Sequence, residues 1–249
     1  MQEQGCPYHG PKAKESNQTA IQTVKDAISD PDFVCIFGKA ALRQEKIQFH
    51  AVEQEMDSPK AAAQTCQILY AYIEEVLHNI DFSQQKLPLA SCVVTFPSQQ
   101  LENEAEACKT VTQLLVAMHT YDVEQGYSWS GDVSNDPQSD TFSFSIGGEA
   151  FFVPLLYEHA HSFPRKIPVT ALIFNWHTLF VELRNRNLFD KGREVIRKNT
   201  LALGHPIAEL LADFGHDQEF PQYVLPSLEN LPLLWAYLQE FGGDEPFGK

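Results

Sequence analysis

Apolar residues recur along the chain with two periods, a helical one of three to four residues and a strand one of two residues. The ranges with helical spacing in the first half are 19–29, 58–80 and 102–121. Compact or alternating apolar runs predict strands at 33–37, 46–52, 90–96 and 168–174. Ser58 followed by Pro59 marks the start of the second helix, because this pair is typical of a first helical turn.

A hairpin and a helical C-terminal third complete the predicted pattern. Phe142, Phe144 and Ile146 alternate with serines and precede Gly147-Gly148, which fits a two-residue turn with positive φ angles. Four helical ranges then follow, at 176–187, 190–203, 205–214 and 228–241. This order of elements predicts an α+β fold with a mainly antiparallel sheet flanked by helices.

The length of the chain, 249 residues, favours one large domain. Residues 1–17 are rich in Gln, Lys, Glu and Gly and predict a flexible N-terminal lead-in, so the single domain is expected to span 18–249. A polar stretch at 122–140 encloses Trp129. Loops of this length inside a compact domain are typically functional or mobile.

The charge of the chain limits its partners. Thirty-three acidic residues stand against 18 basic ones, which gives a formal net charge of −15. An extended phosphate backbone is repelled by this excess, so we expect no nucleic-acid partner. There is no apolar run of about 18 residues and no basic-then-apolar N-terminal order, so we expect a cytoplasmic protein that does not insert into membranes.

Five cysteines lie at wide and irregular spacing, and no CxxC pair occurs. A disulfide framework or a structural zinc site needs closer pairs. Cys66, Cys92 and Cys108 are therefore expected to be small apolar core residues.

The stretch YEHAHSFPRK, at 157–166, is the strongest candidate for chemistry. On an extended segment residues i and i+2 point to the same side, so His159 and His161 could converge on one metal. Two solvated imidazoles at the end of a strand are the alternative. Arg165 and Lys166 follow directly, and two cations in so acidic a chain suit a carboxylate, including a haem propionate.

The remaining motifs are weak. The GxSxG, HExxH and GxGxxG fingerprints of common hydrolases, metalloproteases and dinucleotide enzymes are absent from the sequence. Asp213, His216 and Glu219 suggest a carboxylate-histidine cluster, although an exposed loop between helices explains them equally well. His78 and His119 are expected to be structural.

Four segments together resemble the YqcI/YcgG family. They are DFVCIFGKAAL, WSGDVSNDPQSDTFSFSIGGEAFFV, LIFNWHTLFVELR and ADFGHDQEFPQYVLP, and the resemblance covers about residues 30–226. Family members of known activity include the guanitoxin-pathway N-hydroxylase and the arginine hydroxylase of cycloserine biosynthesis. The resemblance thus implies a haem-dependent oxygenase that hydroxylates a nitrogen of an amine or guanidine-containing small molecule, with haem b as cofactor and dioxygen as co-substrate.

The resemblance also implies site residues. The histidine that follows the hairpin corresponds to His161 or His159 as the proximal iron ligand, and a cysteine near the first strand corresponds to Cys35 as the competing thiolate ligand. Arg165 and Lys166 would meet a propionate or a substrate carboxylate. The aromatic residues expected to wall the porphyrin are Trp129, Phe144, Phe151 and Phe152. The candidate substrate-binding residues within the matched segments are Asn175, His177, Asp213 and Tyr223.

Partners and alternatives follow from the same hypothesis. No flavin or nicotinamide fingerprint is present, so an external electron donor is expected beside the small-molecule substrate. A homodimer is one assembly open to the chain, and the sequence does not give the oligomeric state. A haem-binding sensor or carrier without turnover is one alternative function. A non-haem metal hydrolase that uses the two histidines is another.

Overall fold

A computed structural model describes residues 16–248 of the chain. The predicted lead-in lies outside the described residues up to residue 15, as does Cys6. Its last two positions are not a lead-in, because Ser16 caps and Asn17 begins the first helix. The helices are α1 (Asn17–Ser29), α2 (Ile36–Arg43), α3 (Pro59–Glu75), α4 (Glu104–Glu124), α5 (His177–Asn185), α6 (Phe189–Ala202), α7 (Pro221–Val224) and α8 (Leu231–Gly242).

Six strands form one mixed sheet. They are β1 (Ile47–Ala51), β2 (Ser91–Thr95), β3 (Phe144–Ile146), β4 (Glu149–Phe152), β5 (Leu155–Leu156) and β6 (Ala171–Trp176). The order is β1-β2-β6-β4-β3, with β5 also paired to β6. Only β1 and β2 run parallel among these pairs. The predicted α+β class with a mainly antiparallel sheet is confirmed.

The two faces of the sheet carry two hydrophobic cores. Cys92 and Val94 of β2 point into the larger core, which α3 and α4 cover, whereas Val93 points into a smaller core beneath α1. Successive side chains of a strand alternate between faces, so one strand feeds both cores. Cys66, Cys92 and Cys108 are buried in the larger core, as expected.

Several local predictions are confirmed by the structure. Ser58 accepts a hydrogen bond from the Ala61 N–H at 3.2 Å and Pro59 is the first residue of α3, as the sequence pair indicated. Gly147 and Gly148 form the hairpin turn with φ angles of 62° and 79°. Both angles are positive, which is the requirement of a type I′ turn.

Two local predictions are wrong. Residues 33–37 do not form a strand, because Cys35 caps α2 and the helix begins at Ile36. The range 205–214 is not helical but a series of turns that leads to α7. Among residues 16–248, no helix combines the length and the apolar character that a bilayer crossing requires.

Tyr223 of α7 forms hydrogen bonds with both strands at the open end of the β3–β4 hairpin. Its hydroxyl accepts a hydrogen bond from the Phe144 N–H at 2.9 Å and donates one to the Phe151 carbonyl at 3.0 Å. These two residues are paired partners in the hairpin. Its own carbonyl accepts a hydrogen bond from Arg165 Nη1 at 2.8 Å. One fully buried residue, through its hydroxyl and its backbone carbonyl, therefore links the hairpin, α7 and the segment after β5.

We expect Tyr223→Phe to lower the free energy of unfolding by about 2 to 4 kcal/mol, because two buried backbone groups lose their partner. Tyr237→Phe is the matched control, since the Tyr237 hydroxyl makes no hydrogen bond with the described residues. Urea denaturation of both variants measures the difference. Equal losses in the two variants would contradict the role given to Tyr223.

Candidate functional site

His159 and His161 do not converge. The chain turns after β5, and the Ala160 N–H reaches the Tyr157 carbonyl at 3.4 Å, so the segment is not extended as the prediction assumed. His159 Nε2 lies 4.0 Å from Glu102 Oε2, and its side chain is 47% exposed. His161 Nδ1 lies 3.6 Å from Glu104 Oε1, and its side chain is 43% exposed.

The two imidazoles therefore face separate carboxylates at the surface. Within residues 16–248 no group of three or more His, Cys, Asp or Glu side chains is arranged to hold a metal ion.

Arg165 lies inside the fold, in a 3-10 turn formed by Phe163–Arg165. Burial lowers the pKa of its guanidinium to about 10. Nη1 donates a hydrogen bond to the Tyr223 carbonyl, so this cation stabilises the backbone at α7 and does not extend towards a ligand at the surface. Lys166 beside it is half-buried.

Cys35 caps the N-terminus of α2. Its sulfur accepts a hydrogen bond from the Gly38 N–H at 3.4 Å, which caps α2. Burial raises the pKa of the thiol, so the sulfur keeps its proton at neutral pH. A thiolate at Cys35 would need a metal to displace that proton.

Trp129 and His161 lie near opposite ends of α4. The Trp129 ring contacts His119 with ring centroids 5.4 Å apart, whereas His161 contacts Glu104. Glu104 and His119 are separated by 15 residues of one helix, which is about 22 Å at 1.5 Å per residue. Trp129 and His161 therefore do not flank one porphyrin, and Trp129 instead packs on the larger core.

The other predicted site residues are spread over the sheet. Asn175 accepts a hydrogen bond from the Ser91 hydroxyl at 2.9 Å and so connects β6 to β2. Asp213 forms an ion pair with Arg193 of α6. Phe152 packs against Tyr223 with ring centroids 5.5 Å apart.

A second group of residues, which we name the His177 cluster, does come together. It consists of Ser143, His177, Arg184, Phe214 and Glu219. Ser143 precedes β3, His177 begins α5 directly after β6, and Glu219 lies just before α7. The turn that carries Phe214 is attached to the long loop by the Gly215 N–H, which donates to the Asp140 carbonyl at 2.8 Å.

His177 is a buried and neutral imidazole. It is 7% exposed, its Nδ1 lies 3.5 Å from the Ser143 hydroxyl, and its ring centroid lies 4.6 Å from that of Phe214. Burial lowers the pKa of the imidazole to about 4, and the positive charge of Arg184 acts in the same direction. At neutral pH His177 therefore has a free lone pair on one ring nitrogen.

Glu219 is a buried carboxylic acid. It is 6% exposed, and its Oε2 has no hydrogen-bond partner among the described residues. Burial raises the pKa of the carboxyl group to about 8, against the opposing field of Arg184. At neutral pH Glu219 thus keeps its proton and is a hydrogen-bond donor.

Arg184 carries the positive charge of the cluster. Its guanidinium lies 4.3 Å from the ring centroid of Phe189 and 5.8 Å from that of Phe214. Among residues 16–248 these two aromatic rings are its direct contacts, and the charges of Glu219 and Asp190 act on it from nearby. The guanidinium is therefore held by aromatic faces and keeps its donors available.

Sequence reasoning found His177 and Tyr223 but gave no role to Ser143 or Arg184. It also grouped Glu219 with Asp213 and His216, and the structure separates these three: Asp213 pairs with Arg193, His216 is exposed and Glu219 is buried. The weak signal was an acidic residue directly before the apolar pair Phe220-Pro221.

Comparison with known proteins gives one match. The family model described as the YqcI/YcgG family matches residues 24–234. No curated protein and no solved structure matches the chain.

The buried groups of the cluster link stability to pH in opposite directions. The pKa of Glu219 is raised from its ordinary value of 4.5 to about 8, so the folded protein holds a proton that the unfolded chain releases. Its contribution is complete below pH 4.5 and is lost as the pH rises towards 8. The pKa of His177 is lowered from 6.5 to about 4, so its contribution is lost as the pH falls through that window.

Above pH 6.5 the contribution of His177 to the free energy of unfolding is constant, and only that of Glu219 changes. We expect the free energy of unfolding of the unmodified protein, relative to Glu219→Gln, to fall by about 1.4 kcal/mol per pH unit between pH 6.5 and 8. Urea denaturation at several pH values measures this difference, in which the other titrating groups cancel. A constant difference would show that Glu219 is ionised in the folded protein throughout the range.

Proposed function

The chain belongs to the YqcI/YcgG family, and on this basis we propose that it is a haem-dependent oxygenase that hydroxylates a nitrogen of an amine or guanidine-containing small molecule. The activity is proposed from the resemblance to the N-hydroxylases of the family. Dioxygen is the co-substrate, and an external donor supplies the electrons.

One observation supports a chemical role for the matched region. The segments that carry the family resemblance meet at the His177 cluster: 129–153 provides Ser143, 172–184 provides His177 and Arg184, and 212–226 provides Phe214 and Glu219. The cluster combines a buried imidazole whose pKa is lowered, a buried carboxyl group whose pKa is raised, and a half-buried guanidinium. Perturbed pKa values gathered in this way are typical of functional sites.

The residues of the cluster fit a haem group better than the surface histidines do. An axial ligand has to be a neutral imidazole in surroundings of low polarity, and His177 meets both conditions. The Ser143 hydroxyl lies 3.5 Å from Nδ1, and in the tautomer that has its proton on Nδ1 the free lone pair is on Nε2, which would then face the iron. His159 and His161 lie at the surface beside glutamates.

Haem, when bound, would supply the activation of dioxygen and the oxidising power. The protein residues have separate tasks. His177 would hold the iron, Phe214 would exclude water from the imidazole, and Glu219 holds a proton on its carboxyl group at neutral pH. A carboxyl group that keeps its proton at neutral pH would be a proton donor for a reaction in the cluster.

We expect haem-supplemented expression to give a coloured protein, and His177→Ala to lose its haem while His159→Ala, His161→Ala and Cys35→Ala retain it. The reason is that one buried imidazole provides the bond to iron. Absorption spectra of the oxidised, reduced and carbon monoxide forms measure retention. Added imidazole should restore the spectrum of His177→Ala, which separates lost ligation from lost folding.

Each contrary result has a definite meaning. If His177→Ala keeps an unchanged spectrum, the iron lies elsewhere, and a red-shifted carbonyl band that Cys35→Ala abolishes would assign it to the thiolate. A six-coordinate haem that refuses carbon monoxide would favour a sensor or carrier over an oxygenase. If the protein takes up no haem under any condition, the proposed function is wrong.

A further inference from the structure

Arg184 is a half-buried cation near two acids, Glu219 and Asp190, and Asp190 makes its ion pair with Arg193 instead. Phe189 and Phe214 hold its guanidinium between their rings. A guanidinium that is partly removed from water gains from a carboxylate partner, because a charge-assisted contact replaces part of the lost hydration. In this protein the nearby acid, Glu219, is buried, and burial raises the pKa of its carboxyl group to about 8 against the opposing field of Arg184.

Glu219 contributes the second unsatisfied group. Its Oε2 is buried and has no hydrogen-bond partner among residues 16–248. The hydroxyls of Tyr72, Thr112 and Tyr157 are in the same state. An unsatisfied buried oxygen costs about 1 to 3 kcal/mol, so a ligand group that reached Glu219 would gain by pairing with it.

We infer that Arg184 and Glu219 together bind a carboxylate group of a ligand, at a subsite bounded by the Phe214 ring. The guanidinium offers charge-assisted donors, and the protonated carboxyl group offers one further donor, which suits the two oxygens of one carboxylate. A cationic ligand would be repelled by Arg184. A phosphate dianion would bring a second negative charge that no further cation of the cluster balances.

The surrounding charges support a monoanionic ligand. Asp213 is already paired with Arg193, and Asp190 lies 3.4 Å from the same arginine. The other titratable or charged groups that act on the cluster are Tyr223 from α7, His177 from α5, Asp132 from the long loop, and Asp190 and Arg193 from α6. Of these, His177 and Tyr223 are neutral at pH 7 because burial disfavours their charged forms.

The subsite adjoins His177, since Phe214 contacts both the imidazole and the guanidinium. Two sources of the carboxylate therefore fit, the small-molecule substrate and a haem propionate. The role of the subsite in the reaction rests on the proposed function. Carboxylate binding itself does not, so it is tested on the haem-free protein.

The test uses butyrate as the probe and butylammonium as a control of equal length and opposite charge. Butyrate should shift the Nε–Hε nuclear magnetic resonance signal of Arg184 at pH 7, and butylammonium should not. Arg184→Gln should weaken butyrate binding roughly tenfold or more, because a charge-assisted contact is lost. Arg43→Gln removes the same charge from an exposed site on α2 and should have no effect.

The pH dependence of butyrate affinity tests whether the Glu219 carboxyl group is the second donor. Butyrate affinity of the unmodified protein should fall as the pH rises through about 8, because Glu219 then becomes a carboxylate that repels the ligand. Glu219→Gln keeps a donor that does not titrate, so its affinity should stay within about threefold of the original at pH 7 and should not fall through that range. Circular dichroism verifies that each variant is folded.

Haem-loaded protein distinguishes the two sources. If the ligand is a propionate, haem should abolish butyrate binding. The unmodified protein should then retain haem dimethyl ester as weakly as the Arg184→Gln variant retains haem. If the ligand is a substrate, butyrate should still bind the haem-loaded protein. The inference is overturned if butyrate binds no better than butylammonium, or if Arg184→Gln and Arg43→Gln behave alike. The comparisons of butyrate with butylammonium and of Arg184→Gln with Arg43→Gln use haem-free protein. Failure to take up haem would therefore overturn only the proposed function.

Discussion

The hydroxyl of Tyr223 is the contact on which the arrangement of the candidate site depends. It closes the open end of the β3–β4 hairpin through Phe144 and Phe151, while the carbonyl of the same residue receives Arg165. Ser143 adjoins Phe144 in sequence, and Glu219 lies one helical turn before Tyr223. Both side chains are therefore positioned by a residue that takes no part in the proposed chemistry, because buried backbone groups have to be satisfied.

Burial then determines the electrostatics of the cluster. In surroundings of low polarity the neutral forms of an acid and of an imidazole are favoured, which is why Glu219 keeps its proton and His177 loses its own. Arg184 cannot respond in this way, since a guanidinium stays protonated at any ordinary pH. In a chain with a net charge of −15, the cluster thus keeps a guanidinium next to two groups whose neutral forms are favoured. At short range this local charge outweighs the screened charge of the distant surface.

The fold was predictable where a local rule applies and not where a tertiary contact decides. The two glycines of the hairpin turn and the Ser58-Pro59 helix start depend only on neighbouring residues, and both predictions are confirmed. The apolar run around Cys35 is too short to distinguish a strand from the entry to a helix. The structure shows that the sulfur caps α2, a role that cysteine composition does not indicate.

The candidate site was harder to predict, because its chemistry depends on burial. The spacing of His159 and His161 indicated convergence only if the segment was extended, and the turn after β5 removes that condition. Glu219 and His177 look like ordinary polar residues of a loop and a helix start until the sheet brings their segments together. The useful signal for the site was that polar segments such as ADFGHDQEF resemble the YqcI/YcgG family, although no helix or strand pattern requires these residues. A polar segment that shapes no regular element is better explained by a site than by the fold, and this one contributes the buried acid on which the charge of Arg184 acts.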